Sequence, residues 1–258
     1  MFLQIKKNLQ KYNIDKNTKV VLSISGGVDS VVLYFIIKKI INPKNIHLLH
    51  FNYNFHLNAD KAESFINDIA IKYNSIFKSY KIKLNNNNFE ATARLFRYNK
   101  LNEYAMNEDV KYILTAHHEN DQMETLLMKD LTNCDWISYL GIREQYNRIL
   151  RPMLKFTKSD ILEYAKEKKI VWIEDLSNKN KNFLRNRLRY NLKNKYYSKT
   201  YLSSLFKKHK NSKIEMENFN SLFEKKYNEL IIENSYNLVF QKKILEYYSK
   251  SYLKLFIY

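Results

Sequence analysis

Cysteine, glycine and proline are all scarce in this chain, and long apolar runs are missing. The single cysteine, Cys134, excludes an intramolecular disulfide framework, a cysteine-rich zinc site and a CxxC redox or iron–sulfur motif. We therefore expect a reducing, cytoplasmic location. The longest apolar run, Val31 to Ile37, is far too short to cross a bilayer, and the first strand-like segment begins near Lys19, so we expect no signal peptide, membrane span or membrane partner.

The charge balance is strongly basic, with 44 Lys+Arg against 26 Asp+Glu and a formal net charge of +18. Such an excess favours a polyanionic partner, which is RNA, DNA or a membrane surface. Lys, Asn, Ile, Tyr and Phe are over-represented, as expected when codons drift towards A and T. The arginines are then the more informative basic residues. Their three groups are Arg94 with Arg97, then Arg143, Arg148 and Arg151, and finally Arg185, Arg187 and Arg189.

Short β-rich apolar runs alternate with helical segments over the first two thirds of the chain. This alternation predicts an α/β fold, namely a doubly wound, mainly parallel, Rossmann-like sheet with helices on both faces. In such a sheet the ligand site lies at the carboxyl ends of the strands. The predicted strands are Val20–Ile24, Ile46–Phe51, Ile76–Leu84 and Tyr112–Ala116, and the predicted helices are Asp29–Ile41, Asn58–Tyr73, Glu90–Met106 and Asn120–Asp130.

The region after Pro152 begins with a mixed pattern of helix, strand and loop and ends with a helical, basic pattern. A helix over Lys158–Lys169 and a short strand over Ile170–Ile173 precede a polar loop, Asp175–Asn182. From about Lys195 onward the pattern is helical and basic. We therefore predict a catalytic domain over residues 1–195 and a small, helical, basic domain over residues 196–258.

The segment SGGVDS, residues 25–30, lies directly between a predicted buried strand and a helix. Adjacent Gly26 and Gly27 let the backbone approach an anion, successive N–H groups form a concave nest, and the helix N-terminus adds its positive end. Ser30 could add a hydroxyl contact, and Asp29 beside a phosphate makes sense chiefly as a magnesium ligand. The sequence therefore predicts a polyphosphate site.

A simpler interpretation of the same segment is a tight turn in which Ser25 or Asp29 caps the helix. Two observations favour the phosphate site. Gly26 and Gly27 are two of only three glycines in the chain, and they lie where a doubly wound fold binds nucleotides. The spacing of the glycines excludes both a Walker P-loop and a GxGxxG dinucleotide fingerprint.

A second motif, HHENDQMET at residues 117–125, follows the fourth predicted strand. Asp121 and Glu124 are three residues apart and share a helical face, so they are expected to project into the cleft. Met123, Leu126 and Leu127 form the opposite, core-facing stripe. Acids that merely complement the helix dipole are the alternative. HExxH is absent, which excludes that kind of zinc protease.

Two arginine-rich segments complete the candidate site. Arg94 and Arg97 are three residues apart on a predicted helix, which suits bidentate binding of phosphate. Arg185 and Arg189 are one turn apart in a segment that also contains Asn186. A solvated basic face is the alternative for both. Arginine clusters of this kind usually contact phosphates, and they position RNA rather than read its sequence.

These segments resemble, in order, the motifs of the tRNA(Ile)-lysidine synthetase family of N-type ATP pyrophosphatases, also called PP-loop ATPases. SGGVDS is similar to the pyrophosphate-binding loop of the superfamily, HHENDQMET to HHxxDQxET, EATARLFRY to ExxARxxRY, and DLSN followed by RNRLR to DxSN…RNxxR. The resemblance spans about residues 19 to 190. Two departures are Asn120, where the family has Asp, and the segment 50–56, where Tyr53, Asn54 and His56 replace the expected residues of HxNHGLR.

The resemblance implies that ATP adenylates the wobble cytidine of isoleucine tRNA with a CAU anticodon, and that free lysine then displaces AMP. It implies ATP and magnesium as cofactors, and a basic C-terminal region that holds the tRNA. The implied ATP-binding residues are Ser25, Gly26, Gly27, Val28, Asp29 and Ser30, with Asp29 as the magnesium ligand.

The implied roles of the remaining residues follow from the same motifs. Arg97 would stabilise the reacting phosphate, and Asp121 and Glu124 would hold the lysine ammonium, with His117 in the same pocket. The implied tRNA-binding residues are Arg94, Arg185, Asn186 and Arg189.

Two other functions fit parts of the pattern. One is another PP-loop enzyme that modifies tRNA with ATP, although a thiolase is disfavoured because sulfur transfer or an iron–sulfur cluster needs several cysteines and this chain has only Cys134. The other is a non-catalytic RNA-binding module with a vestigial nucleotide pocket. The acids of DQMET disfavour it, since RNA binding alone would select against carboxylates. The sequence leaves open whether the protein is a monomer or a homodimer.

Overall fold

The protein contains a six-stranded, mostly parallel sheet with the strand order β3-β2-β1-β4-β6-β5. The computed structural model describes residues 1–53, 59–82, 89–132, 134–174 and 184–230. Among the strands in these ranges, only the edge pair β5–β6 is antiparallel. The strands are β1 (Val20–Ser23), β2 (Ile46–Asn52), β3 (Ile76–Lys81), β4 (Tyr112–Leu114), β5 (Gln145–Tyr146) and β6 (Ile149–Leu150).

Helices cover both faces of the sheet, and further helices follow in the C-terminal part of the chain. Within the described residues they are α1 (Phe2–Gln10), α2 (Val28–Ile37), α3 (Ala59–Tyr73), α4 (Phe89–Asn107), α5 (Glu119–Asp130), α6 (Lys158–Glu167), α7 (Leu184–Lys193) and α8 (Lys199–Leu230), with short 3-10 helices at Pro43–Asn45 and Trp136–Leu140. The predicted α/β, doubly wound sheet with a helical C-terminal region is confirmed.

Alternating side chains of the central strands belong to two separate hydrophobic cores, one on each face of the sheet. Val20 and Leu22 of β1 pack with side chains of α1, α2, α3 and α6 on one face. Val21, between them, packs on the other face with Leu101 and Ala105 of α4. Because both faces are covered, the strands are apolar throughout, as parallel strands of this type usually are. The two cores fix the strand ends on which the candidate site is built.

The structure differs from the predicted elements in three places. Residues 170–173 form no strand: the amide of Ile173 donates to the carbonyl of Gly26 (3.0 Å), so this β-branched segment bonds to a loop rather than to a sheet edge. The hairpin of β5 and β6 was not predicted, because two-residue strands are too short to show alternation. Helix α1 was also not predicted. The polar loop 175–182 and residues 54–56 lie outside the described residues.

The chain divides into two compact units. Residues 1–122 and 143–187 form the first, which contains the sheet, and residues 123–142 with the chain from residue 188 onward form the second. In the second unit, the apolar face of α5 packs with side chains of α7 and α8, including Leu188 and Leu205. The domain boundary at residues 195/196 stays a prediction. Within the described ranges, no helix combines the length and apolar character that a bilayer crossing requires.

Candidate active site at the carboxyl ends of the strands

The segment SGGVDS forms the turn from β1 into α2, at the point where the strand order reverses. Gly26 has φ +88°, a left-handed conformation that favours glycine, and a Cβ there would lie 3.2 Å from Cβ of Ala62. Gly27 is the N-cap of α2, which has no side-chain cap among the described residues. The helix therefore leaves its first N–H groups available for an anion.

Two serine hydroxyls brace this turn from within. The hydroxyl of Ser30 accepts from the amide of Ser25 (3.1 Å) and donates to the carbonyl of Gly27 (3.0 Å). The hydroxyl of Ser25 lies 3.1 Å from that of Ser30 and accepts from the amide of Gly27 (3.3 Å). The loop shape is thus fixed by its own residues before any ligand binds, which lowers the entropic cost of binding.

Asp29, in the first turn of α2, faces two side chains that can carry positive charge. Its Oδ1 accepts from Nζ of Lys158 at 2.5 Å, and its Oδ2 lies 3.8 Å from Nε2 of His118. His118 is buried, and its Nδ1 has no hydrogen-bond partner among the described residues. The Lys158 ammonium keeps the carboxylate next to the loop rather than turned towards solvent.

A protein-only metal site is not present in the described part of the chain, where no group of three or more His, Cys, Asp or Glu could hold an ion. One carboxylate next to a phosphate nest nevertheless fits magnesium. That ion usually binds through one or two carboxylates and takes its other ligands from substrate phosphates and water. Asp29 supplies such a carboxylate.

Asn120 connects the second motif to the start of α6. Its Oδ1 accepts from the amide of Lys158 (2.8 Å), and the neighbouring amide of Glu119 donates to the carbonyl of Phe156 (2.9 Å). An amide oxygen serves as acceptor here as well as a carboxylate would. The departure from the family's Asp at position 120 therefore leaves this connection intact.

Two ionisable residues that follow β4 have shifted pKa values. Burial lowers the pKa of His117 to about 3, opposed by Asp121 and reinforced by the positive charges of Arg151, Arg97 and Arg94. The pKa of Asp121 is also lowered: burial would raise it, but His118 and His117, together with a hydrogen bond from the amide of His118 (3.0 Å), outweigh burial. At neutral pH His117 is neutral and Asp121 is ionised.

The predicted phosphate-binding arginines of α4 lie close to these residues. Arg94 and Arg97 lie against the ring of Tyr98, with Cζ 4.8 and 5.6 Å from its centroid. Both act on His117 electrostatically, and Arg185 acts on Asp121. Within the first unit, the structure therefore brings together the glycine loop, the start of α5 and three of the predicted arginines.

Glu124 is placed differently from its neighbour on α5. Its side chain is 1% exposed, and Arg189 of α7 contacts both carboxylate oxygens, with Nε to Oε1 at 2.8 Å and Nη2 to Oε2 at 3.1 Å. Both residues belong to the second unit. The sequence assigned them separate roles, in lysine binding and tRNA binding, and did not indicate that they form an ion pair.

Three participants were not assigned by sequence reasoning: Lys158, His118 and Arg151. Lys158 lies 129 residues from its partner Asp29, so no local pattern could have revealed the pair. His118 is part of HHENDQMET but was given no role. Arg151 directly follows β6 and is buried, with Nη1 donating to the carbonyl of Arg143 (2.7 Å). The sequence shows an arginine directly after the apolar pair Ile149-Leu150, but only the structure shows that it is buried.

Comparison with known proteins agrees with this geometry. A family model described as a PP-loop domain matches residues 1–196. The solved structure of the U34-tRNA thiolase NcsA from Methanococcus maripaludis, with its [4Fe-4S] cluster, superimposes with a TM-score of 0.63 and covers 84% of this chain and 77% of that chain. Their sequences are 16% identical, so this likeness shows the fold alone.

Curated relatives include proteins named tRNA(Ile)-lysidine synthase from several bacteria. That of Treponema denticola is 32% identical over 188 residues, covering 67% of this chain and 40% of the relative. That of Haemophilus ducreyi is 35% identical over 178 residues, covering 66% and 41%. That of Campylobacter jejuni is 32% identical over 201 residues, covering 76% and 61%.

The resemblance found in the motifs is thereby confirmed. This chain spans about half the length of the curated relatives it matches. The family model, by contrast, matches three quarters of this chain, including the glycine loop, the whole sheet and α7. The chain belongs to the PP-loop domain family, and its curated relatives are tRNA(Ile)-lysidine synthases.

Proposed function

We propose that this chain uses ATP to attach lysine to C2 of the wobble cytidine of CAU-anticodon isoleucine tRNA, which forms lysidine. One observation carries the proposal most directly. The glycine loop after β1 and the HHENDQMET motif after β4 follow neighbouring parallel strands, at the switch point where doubly wound sheets bind ligands. The names of the curated relatives support the same activity.

The proposed reaction has two steps. In the first, O2 of the cytidine attacks the α-phosphorus of ATP, the bond to the β-phosphate oxygen breaks, and pyrophosphate leaves. In the second, the neutral amine of lysine attacks C2 of the adenylated base, the C2–O2 bond breaks, and AMP leaves with that oxygen. The amine loses a proton as the C–N bond forms. Stabilising the charge on each leaving group is the main contribution expected from the protein.

The ATP end of the site consists of the glycine loop. The backbone of Gly26, Gly27 and Val28, with the hydroxyls of Ser25 and Ser30, would hold the pyrophosphate. Asp29 would hold the magnesium ion, which supplies positive charge to the phosphates. Arg97 would neutralise the charge that develops at the α-phosphorus. The braced serine hydroxyls and the uncapped start of α2 support these assignments.

The lysine end would involve Asp121 and Glu124 of α5. An ionised Asp121 suits an ammonium, and its lowered pKa keeps it ionised at neutral pH. The bidentate contact from Arg189 would fix the orientation of the Glu124 carboxylate. His117, with a pKa of about 3, is a weak base near neutral pH, so its proposed part is to accept a hydrogen bond in the same pocket rather than to remove the proton.

Basic residues would hold the tRNA. Arg94, Arg185 and Asn186 belong to the first unit and Arg189 to the second. The basic helices α7 and α8 add further lysines. Contacts of this kind go to phosphates and position the RNA. We therefore expect tRNA retention to weaken as the salt concentration rises.

The direct test supplies transcribed CAU isoleucine tRNA, ATP, magnesium and radiolabelled lysine to the purified chain. We expect label in the RNA that depends on ATP and that nuclease digestion releases as a modified cytidine. The same tRNA with its wobble C replaced by U is the control RNA and should stay unlabelled. Retention of the CAU tRNA without any labelled lysine would show an RNA-binding module instead of this enzyme.

Two variants separate the proposed roles. Asp29→Asn should lower lysine incorporation at least a hundredfold, because the magnesium ligand is lost. Glu124→Gln should lower it at least tenfold, because the lysine ammonium loses a charge partner. Each factor of ten corresponds to about 1.4 kcal/mol. Exposed Asp68→Asn and Glu163→Gln are matched controls. Filter retention of tRNA should stay within about twofold for all four. Loss of retention with intact incorporation would contradict both roles.

A further inference from the structure

Lys158, the first residue of α6, has no role in any motif, although its ammonium lies against the one carboxylate of the glycine loop. We propose that Lys158 is a phosphate-binding residue. Asp29 holds its ammonium while the loop is empty, and the ammonium moves to the polyphosphate when a magnesium ion takes the carboxylate. This inference rests on the proposed function, since it requires that the loop binds a nucleoside triphosphate with magnesium.

The position of the ammonium supports this role. Nζ of Lys158 lies 2.5 Å from Oδ1 of Asp29, and Asp29 is in the first turn of the helix whose N-terminus would face the phosphates. The ammonium is therefore held at the first turn of the helix that would face the anion. Lysine is a common phosphate-binding residue in nucleotide sites, where it acts as a point charge.

The backbone of Lys158 is held in place, so only its side chain needs to move. Its amide donates to Oδ1 of Asn120 (2.8 Å). The preceding Thr157 and following Asp160 form a capping box that fixes the start of α6. Three buried residues of α6, Ile161, Tyr164 and Ala165, anchor the helix in the core. A fixed pivot with a flexible four-carbon stem lets the ammonium shift between neighbouring anions.

The environment of the pair allows exchange with magnesium. The side chains of Lys158 and Asp29 are 38% and 30% exposed, so water and ions reach them. His118 is buried, and its Nε2 lies 3.8 Å from the other carboxylate oxygen of Asp29, Oδ2. A divalent cation at Asp29 would repel the ammonium and draw it towards the negative phosphate oxygens. The carboxylate and the ammonium would then both contribute to binding of the same ligand.

A purely structural ion pair between α2 and α6 is the competing interpretation. It predicts that loss of the ammonium changes stability slightly and leaves nucleotide binding unchanged, because half-exposed pairs contribute little. It shares the expectation that free divalent metal binds Asp29 more tightly once the ammonium is gone, because the ion pair competes with the metal in either case. Nucleotide binding therefore separates the two interpretations.

The experiment compares wild type with Lys158→Met, Lys158→Arg and Lys166→Met. Lys166 is an exposed lysine of the same helix and serves as the matched control. Equilibrium binding of magnesium–ATP should weaken at least tenfold in Lys158→Met, recover to within about threefold of wild type in Lys158→Arg, and stay unchanged in Lys166→Met; tenfold is about 1.4 kcal/mol. Thermal unfolding checks that each variant is folded.

A second measurement does not depend on nucleotide. Binding of Mn²⁺ alone, followed by its electron paramagnetic resonance signal, should be tighter in Lys158→Met than in wild type, since the ammonium no longer competes for Asp29. If Lys158→Met loses stability, Lys158→Gln, which keeps a polar tip, takes its place in both measurements. Unchanged ATP affinity, or Mn²⁺ binding that is equal or weaker, would overturn the inference. Wild type that binds no magnesium–ATP would instead reject the proposed function.

Discussion

At the scale of single residues, His117 and Asp121, which follow β4, have pKa values below those of the same side chains in water. His117 has its pKa lowered to about 3 by burial and by nearby arginines, and its Nδ1 lies 2.9 Å from the hydroxyl of Thr115. Asp121, three residues before Glu124, is ionised in the same surroundings. A neutral imidazole next to an ionised carboxylate is suited to bind an amine that must lose a proton.

The lowered pKa of His117 has a consequence for stability. A histidine that stays neutral in the folded chain but binds a proton when unfolded destabilises the fold as pH falls below about 6.5. The free energy of unfolding should fall by up to about 1.4 kcal/mol for each pH unit from this residue alone. The contribution is absent above pH 6.5 and levels off near pH 3.

His117→Asn tests this, since the asparagine amide keeps a partner for Thr115 and does not titrate. Urea unfolding at pH 7 and pH 5 should show a smaller loss of stability in the variant than in wild type. Three other histidines with lowered pKa values, His47, His50 and His209, remain in both proteins and cancel in the comparison. An equal pH dependence in the two proteins would mean that His117 titrates normally.

Some of these residues were visible in the sequence and others were not. Gly26 could be assigned because a doubled glycine between a buried strand and a helix is typical of a loop that contacts an anion, and its φ of +88° agrees. The pairs Lys158–Asp29 and Arg189–Glu124 could not, because they join residues 129 and 65 positions apart. Only the folded chain brings such residues together.

At the scale of elements, one carboxylate at the end of α5 connects three other groups in the second unit. Asp130 accepts from the hydroxyls of Tyr139 (2.6 Å) and Tyr201 (2.7 Å) and from Nζ of Lys208 (2.7 Å). Lys208 and the two tyrosines lower the pKa of Asp130 to about 2. Burial and the contact with Asp130 raise the pKa of Tyr201 to about 12. Helix α5, the 3-10 helix at 136–140 and α8 are thereby held together.

Asp130→Asn should destabilise the protein by about 1 to 3 kcal/mol at pH 7, because charged hydrogen bonds become neutral ones. The folded pKa of about 2 is below the ordinary value of 3.8, so this stability is present above pH 3.8 and is lost as pH falls towards 2. Chemical unfolding from pH 7 to pH 3 should therefore show the two proteins converging. A constant difference over that range would argue against the charge as its cause.

The predictability of an element depended on its length. Strands β1, β2 and β4 were predicted because each lies in a continuous apolar run, and helices α3, α4 and α5 because their longer segments have a helical pattern of apolar positions. Two-residue strands such as β5 and β6 have no period to detect. Residues 170–173 were predicted as a strand from their β-branched composition. In the structure the amide of Ile173 donates to the carbonyl of Gly26 instead of to a neighbouring strand. Composition cannot indicate which acceptor an amide will find.

At the scale of the whole molecule, a net charge of +18 and a PP-loop domain are both consistent with the proposed reaction of a nucleotide with tRNA. The second unit carries the basic helix α8 and the C-terminal part of α7, although charge alone does not distinguish one tRNA from another. This chain spans about half the length of its curated relatives, so the proposed recognition of the anticodon has to be measured on this chain itself.

The most direct test of the central claim is which bond of ATP the protein breaks. With CAU isoleucine tRNA and ATP labelled separately at the α- and γ-phosphates, we expect labelled pyrophosphate from the first step, and labelled AMP that appears only when lysine is present. Gly26→Ala should slow both at least tenfold, about 1.4 kcal/mol, because alanine is strained at φ +88° and its Cβ would meet Ala62 at 3.2 Å. Release of ADP and inorganic phosphate, or full activity in Gly26→Ala, would contradict a glycine loop that holds the departing pyrophosphate.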